Sequence, residues 1–202
     1  MSTIDLKPFL ASDSEVRTYL KAPMRSKHGA VACNGHIMIC IDDDGDYAAT
    51  LESIEAAFDK FATIEMTSAI AVAGITLPTA EACFVCDGSG YMYHEECDEC
   101  DGEGEFDHGT HTYECKECGG DGYTESSKAF SGSKQVPCYK CDGRKEALKE
   151  HPVGDSQYSV AYLRLLQTLP NCMLQPRGME TAKFTFDGGW GALMPVTRIN
   201  HD

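Results

Sequence analysis

Hydrophobic and polar positions divide the chain into three zones. In the first, residues 1–80, the spacing changes from element to element. Ser12-Asp13-Ser14-Glu15 has the form of a capping box and predicts a short helix through Leu20. Apolar residues alternate loosely from Gly29 to Ile41 around Asn34-Gly35, a strong hairpin turn signal. Asp42-Asp43-Asp44-Gly45-Asp46 reads as a polar turn. Leu51, Ile54, Phe58 and Phe61 recur at helical spacing, which predicts an amphipathic helix over Leu51 to Phe61. Ile70 to Leu77 is a continuous apolar run of strand length and predicts a buried strand.

In the second zone, residues 81–145, periodicity is lost and glycine and cysteine take over, so a hydrophobic core of its own is not expected there. In the third, residues 146–202, Tyr162, Leu165, Leu166 and Leu169 share one face of a helix predicted over Tyr158 to Leu169, which Pro170-Asn171 stops. Lys183 to Val196 reads as a hairpin: Phe184 and Phe186, a turn at Asp187-Gly188-Gly189, then Trp190, Ala192 and Met194. Neither flank alone carries enough elements for a domain. The expected fold is therefore α+β, a small mixed α/β domain formed by both chain ends, with the middle zone inserted in a loop. Such insertions are tolerated where the loop ends lie close together.

Cysteine changes this picture most. The 202 residues include 11 cysteines, and the N-terminus Met1-Ser2-Thr3-Ile4-Asp5 has neither the basic nor the apolar region of a secretory signal. The expected location is cytoplasmic, where thiols stay reduced and a cysteine framework points to metal. No apolar run reaches membrane-spanning length, so no membrane partner is expected.

Four segments repeat one pattern. They are Cys83-Phe84-Val85-Cys86-Asp87-Gly88-Ser89-Gly90, Cys97-Asp98-Glu99-Cys100-Asp101-Gly102-Glu103-Gly104 and Cys115-Lys116-Glu117-Cys118-Gly119-Gly120-Asp121-Gly122, followed by Cys138-Tyr139-Lys140-Cys141-Asp142-Gly143-Arg144-Lys145, which lacks the second glycine. Two residues between cysteines let one tight turn aim both sulfurs at one ion. Zinc takes four tetrahedral ligands, so four such pairs make two Cys₄ sites and bind two zinc ions per chain. The glycines supply the positive φ that lets the chain curl beneath the metal. Metal binding would also furnish the folding energy that this segment lacks. His94, His108 and His111 are read as surface residues, because eight cysteines already fill both sites. Cys33, Cys40 and Cys172 sit in apolar surroundings and are read as small core residues.

The repeated Cys-x-x-Cys-x-Gly-x-Gly pattern resembles the cysteine-rich zinc domain of DnaJ-type co-chaperones, over about 60 residues. That resemblance implies pairing of the first repeat with the fourth and of the second with the third. Cys83, Cys86, Cys138 and Cys141 would then form one site, and Cys97, Cys100, Cys115 and Cys118 the other. The remainder departs from a co-chaperone: His151-Pro152-Val153 stands nearest to a His-Pro-Asp tripeptide, and no Gly/Phe-rich linker follows. The flanks bear a weaker likeness to bacterial sliding-clamp domains, through Ala32-Cys33-Asn34-Gly35-His36-Ile37 and Ala192-Leu193-Met194-Pro195-Val196 after the last helix. A chimera of this kind suggests a phage or bacterial accessory protein.

Charge narrows the function. The chain carries a net −15, and Cys83 to Cys141 holds 13 acidic residues against four lysines. Duplex nucleic acid attracts lysine and arginine, so a duplex reader built on this segment is disfavoured. Asp42 to Asp46 lacks the glycine and terminal glutamate of a calcium loop. No phosphate loop, nucleophile elbow or triad spacing stands out, and a filled Cys₄ site leaves no open position for catalysis. The leading expectation is a non-enzymatic, zinc-binding interaction or accessory protein with an unidentified protein partner. Phe84, Tyr91, Tyr93, Tyr113, Tyr123 and Tyr139 are its candidate contacts, although part of that set is expected to pack around the zincs. The alternatives are a sliding-clamp-like replication accessory or single-strand binder stacking bases on those tyrosines, and a thiol-disulfide enzyme.

Overall fold

The computed structural model describes residues 4–12, 15–141, 143–147 and 149–196, and all structural statements refer to these. The N-terminal segment carries β1 (Met24–Ser26), β2 (Gly29–Cys33), β3 (Ile37–Ile41), β4 (Ala48–Ala49), α1 (Glu52–Ala62) and β5 (Ile70–Ala71). The cysteine-rich segment carries β6 (Tyr91–Glu96), β7 (Glu105–His108), β8 (His111–Glu114), β9 (Tyr123–Ser126) and β10 (Lys134–Pro137). The C-terminal segment carries β11 (Glu150–Val153), β12 (Ser156–Ser159), α2 (Val160–Gln167), β13 (Met173–Gln175), β14 (Ala182–Phe186) and β15 (Gly189–Leu193). The chain is thus mixed α and β. No helix is long and apolar enough to cross a membrane. It divides into two units, Met1–Pro78 with Lys149–Asp202, and Thr79–Leu148.

In the first unit, eight strands form one sheet in the order β4-β1-β2-β3-β15-β14-β13-β5. The seam between the two chain ends is β3 against β15, antiparallel, with Ile37 opposite Leu193 and Ile41 opposite Gly189. Strand alternation sends side chains to both faces, and both are covered. Ile37, Ile39 and Ile41 join Leu174, Phe184 and Leu193 on one face, under Leu163 and Leu166 of α2. Val31, Met38, Cys40 and Ala192 occupy the other face, under Phe58 of α1. Phe58 is fully buried and meets the Trp190 ring edge-on at 5.7 Å. Lys183 emerges on this second face and is nearly buried. Its ammonium donates to the carbonyls of Ala62 (3.1 Å) and Ile64 (2.5 Å), where the end of α1 leaves carbonyls without helical partners. Burial pulls the pKa of that ammonium down.

The Asn34-Gly35 hairpin forms with Gly35 at φ 92°, and Asn34 Oδ1 accepts the amides of His36 and Ile37. The Leu51 to Phe61 helix forms as α1, although Leu51 itself lies exposed at its N-cap. The second hairpin turns on Asp187 and Gly188, since Gly189 already pairs with Phe186.

Three expectations are corrected. The helix through Leu20 is a single 3-10 turn, Thr18–Lys21; Asp13 and Ser14 lie outside the described residues. The Glu15 carboxylate is taken by the backbone N–H and guanidinium of Arg17 instead of closing a capping box. Ile70 to Leu77 is not a buried strand. Only Ile70 and Ala71 pair, at the sheet edge, and the chain then turns in a 3-10 helix, Val72–Gly74, that buries Val72 alone. An edge strand has one neighbour, so nothing enforces extension beyond the short β13. The last helix begins at Val160, not Tyr158, because Tyr158 pairs with His151 in the β11–β12 hairpin. Its buried face is accordingly Val160, Leu163 and Leu166, with Tyr162 and Leu165 partly covered at the flank.

Within this unit, both points where Thr79–Leu148 departs are tied to α2. Arg164 donates to the Pro78 carbonyl at 2.6 Å, and the Val160 amide donates to the Lys149 carbonyl at 2.8 Å. One helical turn separates Val160 from Arg164, so the ends of the insertion are held close together.

Candidate metal centre

Each Cys-x-x-Cys pair sits in a tight turn. In the first three repeats the Gly at the second glycine position donates its amide to the second cysteine's sulfur: Gly90 to Cys86 (3.3 Å), Gly104 to Cys100 (3.2 Å) and Gly122 to Cys118 (3.3 Å). The turn demands a left-handed residue there, and φ is 84°, 77° and 78° in these three. The fourth repeat keeps the conformation without the glycine, with Lys145 at φ 69° and its amide directed at the Cys141 sulfur.

The turns then meet in pairs about local twofold relations. Cys97 N–H donates to the Gly122 carbonyl (3.0 Å), and Cys115 N–H donates to the Gly104 carbonyl (2.7 Å). In the same way, Cys83 N–H donates to Lys145 (2.9 Å) and Cys138 N–H to Gly90 (2.9 Å). Between the two sites lies a three-stranded sheet in the order β10-β6-β9, with β6 central. Beyond the inner site, β7 and β8 form a separate antiparallel ribbon.

Glycine is needed because the paired turns approach so closely. A Cβ on Gly104 would overlap the Gly120 carbonyl oxygen, and one on Gly122 would overlap that of Gly102. At the outer pair a Cβ on Gly90 would lie 2.7 Å from the Gly143 oxygen. Gly143 itself is less crowded, with its nearest neighbours at 3.9 Å.

The result is two clusters, Cys83 with Cys86, Cys138 and Cys141, and Cys97 with Cys100, Cys115 and Cys118. In each, all four sulfurs lie within 4.8 Å of one another. Sulfur separations are 4.0 Å (Cys83–Cys138), 3.7 Å (Cys86–Cys141), 3.9 Å (Cys97–Cys115) and 3.8 Å (Cys100–Cys118). Four sulfurs at ~2.3 Å from a tetrahedral zinc stand about 3.8 Å apart, whereas a disulfide needs about 2.05 Å. The donor set and its spacing fit zinc, one ion per cluster and two per chain. All four cysteines of the outer cluster are fully buried, backed by Met92, Val85 and Val136; the inner cluster has only its own cysteines, with Cys118 9% exposed.

Burial pushes the thiols of Cys97, Cys100, Cys138 and Cys141 up, Cys100 and Cys141 to about 12. Burial also acts on Cys86 and Cys118, but the amides of Gly90 and Gly122 and the neighbouring thiols outweigh it and bring both down to about 7. Each cluster therefore presents one easily ionised sulfur, Cys86 or Cys118, beside two that resist ionisation, Cys138 and Cys141 or Cys97 and Cys100. A divalent cation is what allows all four to be thiolates together.

The other candidates fall elsewhere. His94 bonds Glu125 (3.0 Å) and stacks on Tyr123 at 3.8 Å, while His108 and His111 pair across the β7–β8 ribbon; none joins a cysteine cluster. Cys40 and Cys172 are buried, with thiols raised by burial to about 11 and about 12, and Cys33 is half-buried with its thiol raised for the same reason. Of the proposed contact aromatics, Tyr93 and Tyr123 are partly covered, whereas Phe84, Tyr91, Tyr113 and Tyr139 are exposed.

Sequence reading missed a third group, His28, Glu55 and Asp59, whose ligand atoms also converge within 4.8 Å. Its atoms are engaged. Asp59 accepts from Lys27 Nζ and His28 Nε2, both at 2.7 Å, and Glu55 accepts from Thr50 Oγ1 and the Lys27 amide. This group ties the β1–β2 turn to α1. The (i, i+4) spacing of Glu55 and Asp59 was the one signal available for it.

No protein-family model matches the chain, and no curated protein or solved structure matches it.

Proposed function

We propose that the protein is a non-enzymatic interaction protein whose Thr79–Leu148 unit is a DnaJ-like cysteine-rich module, held rigid by two structural zinc ions so that its surface can be read by a protein partner. The observation that carries this reading is the closure of both sites. Four buried thiolates complete each tetrahedron, so neither ion keeps a position for water or substrate, and zinc there supplies rigidity rather than chemistry. Nested pairing of repeat one with four and two with three supports the likeness to the DnaJ-type module. Exposed aromatic side chains support the role in binding: Phe84 is 75% and Tyr139 68% accessible, each placed inside a Cys-x-x-Cys turn that zinc would immobilise. The acidity of the module favours a protein partner over a phosphate backbone.

Affinity capture tests this. The full-length zinc-loaded protein would serve as bait beside the Cys97→Ser/Cys138→Ser variant, with and without nuclease. The expected result is a small set of proteins retained by the zinc-loaded bait, lost with the variant and indifferent to nuclease. A catch that disappears with nuclease would transfer the reading to nucleic acid. Insulin reduction by the purified protein would transfer it to thiol exchange.

A further inference from the structure

The β7–β8 ribbon has two chemically distinct faces. Its ten residues, 105 to 114, are all exposed. Residues opposite one another across the ladder share a face, as do residues two apart along a strand. Phe106 faces Tyr113 and His108 faces His111, so four rings occupy one face; His111 and Tyr113 meet edge-on at 6.4 Å. Glu105 faces Glu114 and Asp107 faces Thr112, so three carboxylates occupy the other. Two glutamates directly opposite one another disfavour the ladder on their own. None of these carboxylates has a cation within ion-pair distance among the described residues. The ribbon is also a sheet of two strands only, so the outer edge of each is unpaired.

The geometry points to this ribbon as a docking edge for an extended basic segment of another protein, one in which apolar and basic residues alternate. A strand added to either free edge would send successive side chains to opposite faces. Its apolar residues would cover Phe106 and Tyr113, and its lysines or arginines would neutralise Glu105, Asp107 and Glu114. A second copy of the chain does not suit the same edge, because it would set carboxylates against carboxylates. This inference rests on the interaction reading above and assigns it a surface and a partner chemistry.

The test uses the full-length zinc-loaded protein and three labelled peptides: alternating lysine and valine, the same composition with all lysines before all valines, and alternating glutamate and valine. Fluorescence anisotropy should show the alternating lysine peptide binding at least tenfold tighter than either control, and hydrogen exchange should slow at residues 105–108 or 111–114. Phe106→Thr with Tyr113→Thr, which keeps strand-forming residues, should weaken binding at least tenfold while zinc stays at two per chain. Equal binding of the alternating and blocked lysine peptides, absence of binding by the alternating one, or full affinity in the double variant would overturn the assignment. Zinc-dependent capture of a natural partner by that double variant would show that the interaction reading stands and that this edge is not its surface.

Discussion

Removing zinc is expected to unfold Thr79–Leu148 and leave the rest of the chain folded. The two units differ in what holds them together. The sheet unit has an apolar cluster on each face, under α1 and under α2. The cysteine-rich unit has two clusters made almost wholly of ligands, with Met92, Val85 and Val136 as the apolar addition at the outer site. Structural zinc supplies on the order of 10–16 kcal/mol in small domains of this kind, and nothing else in the segment approaches that. Without metal, each set of four close-packed cysteines would lose its shared ion and the strands between them their register. Limited proteolysis after strong chelation should cut within 79–148 and spare 15–78 and 149–196. Cleavage spread evenly over both units would show that the sheet unit depends on the zinc module.

The order of zinc loss follows from competing effects. The inner site closes a separation of 18 residues between paired cysteines and the outer one a separation of 55. For a free chain this favours the inner site by about 1 kcal/mol. That advantage is offset because α2 already gathers Pro78 and Lys149, shortening the closure that the outer site must achieve. Burial then decides the rate. The inner cysteines are the more exposed and lack apolar backing, so the inner zinc is expected to leave first.

The second large effect lies with the glycines. Gly104→Ala combines a left-handed φ of 77° with a Cβ placed on the Gly120 carbonyl. The conformation alone costs about 1–3 kcal/mol in a non-glycine residue, and the backbone on the other side cannot yield as a side chain would. Inner-site zinc affinity should fall by more than tenfold, read by competition with a chromophoric chelator. Lys145→Gly is the converse. It relieves a left-handed lysine, worth about 1–3 kcal/mol, but adds about 0.4–1 kcal/mol of unfolded-chain entropy, so outer-site affinity should stay level or tighten by up to about 2.5 kcal/mol. An unimpaired Gly104→Ala would show that the two turns do not approach as described.

The candidate metal ligands were legible in the sequence because their information is local. Each Cys-x-x-Cys-x-Gly turn states its own geometry, and tetrahedral zinc needs two of them. The two hairpins and α1 were legible for the same reason, through turn residues and periodicity. Positions decided by distant partners were not. Ile70 to Leu77 looks like a core strand until it is placed at the edge beside a three-residue β13. Tyr158 belongs to a helix by composition and to a strand by its pairing with His151. The β3–β15 seam joins residues some 150 apart, as a consequence of both flanks needing a partner sheet. Nothing in the fourth repeat announces that Lys145 keeps the conformation of the glycine it replaces. The opposed faces of β7–β8 appear only once the register is known.

Zinc content of two double variants tests the nested sites most directly. Cys83→Ser/Cys138→Ser removes two ligands from one cluster, and Cys83→Ser/Cys97→Ser removes one from each. Metal analysis of the purified full-length proteins should find one zinc per chain in the first and none tightly held in the second. The opposite result, with the first losing both and the second keeping one, would mean that neighbouring repeats pair in sequence order and would contradict the account.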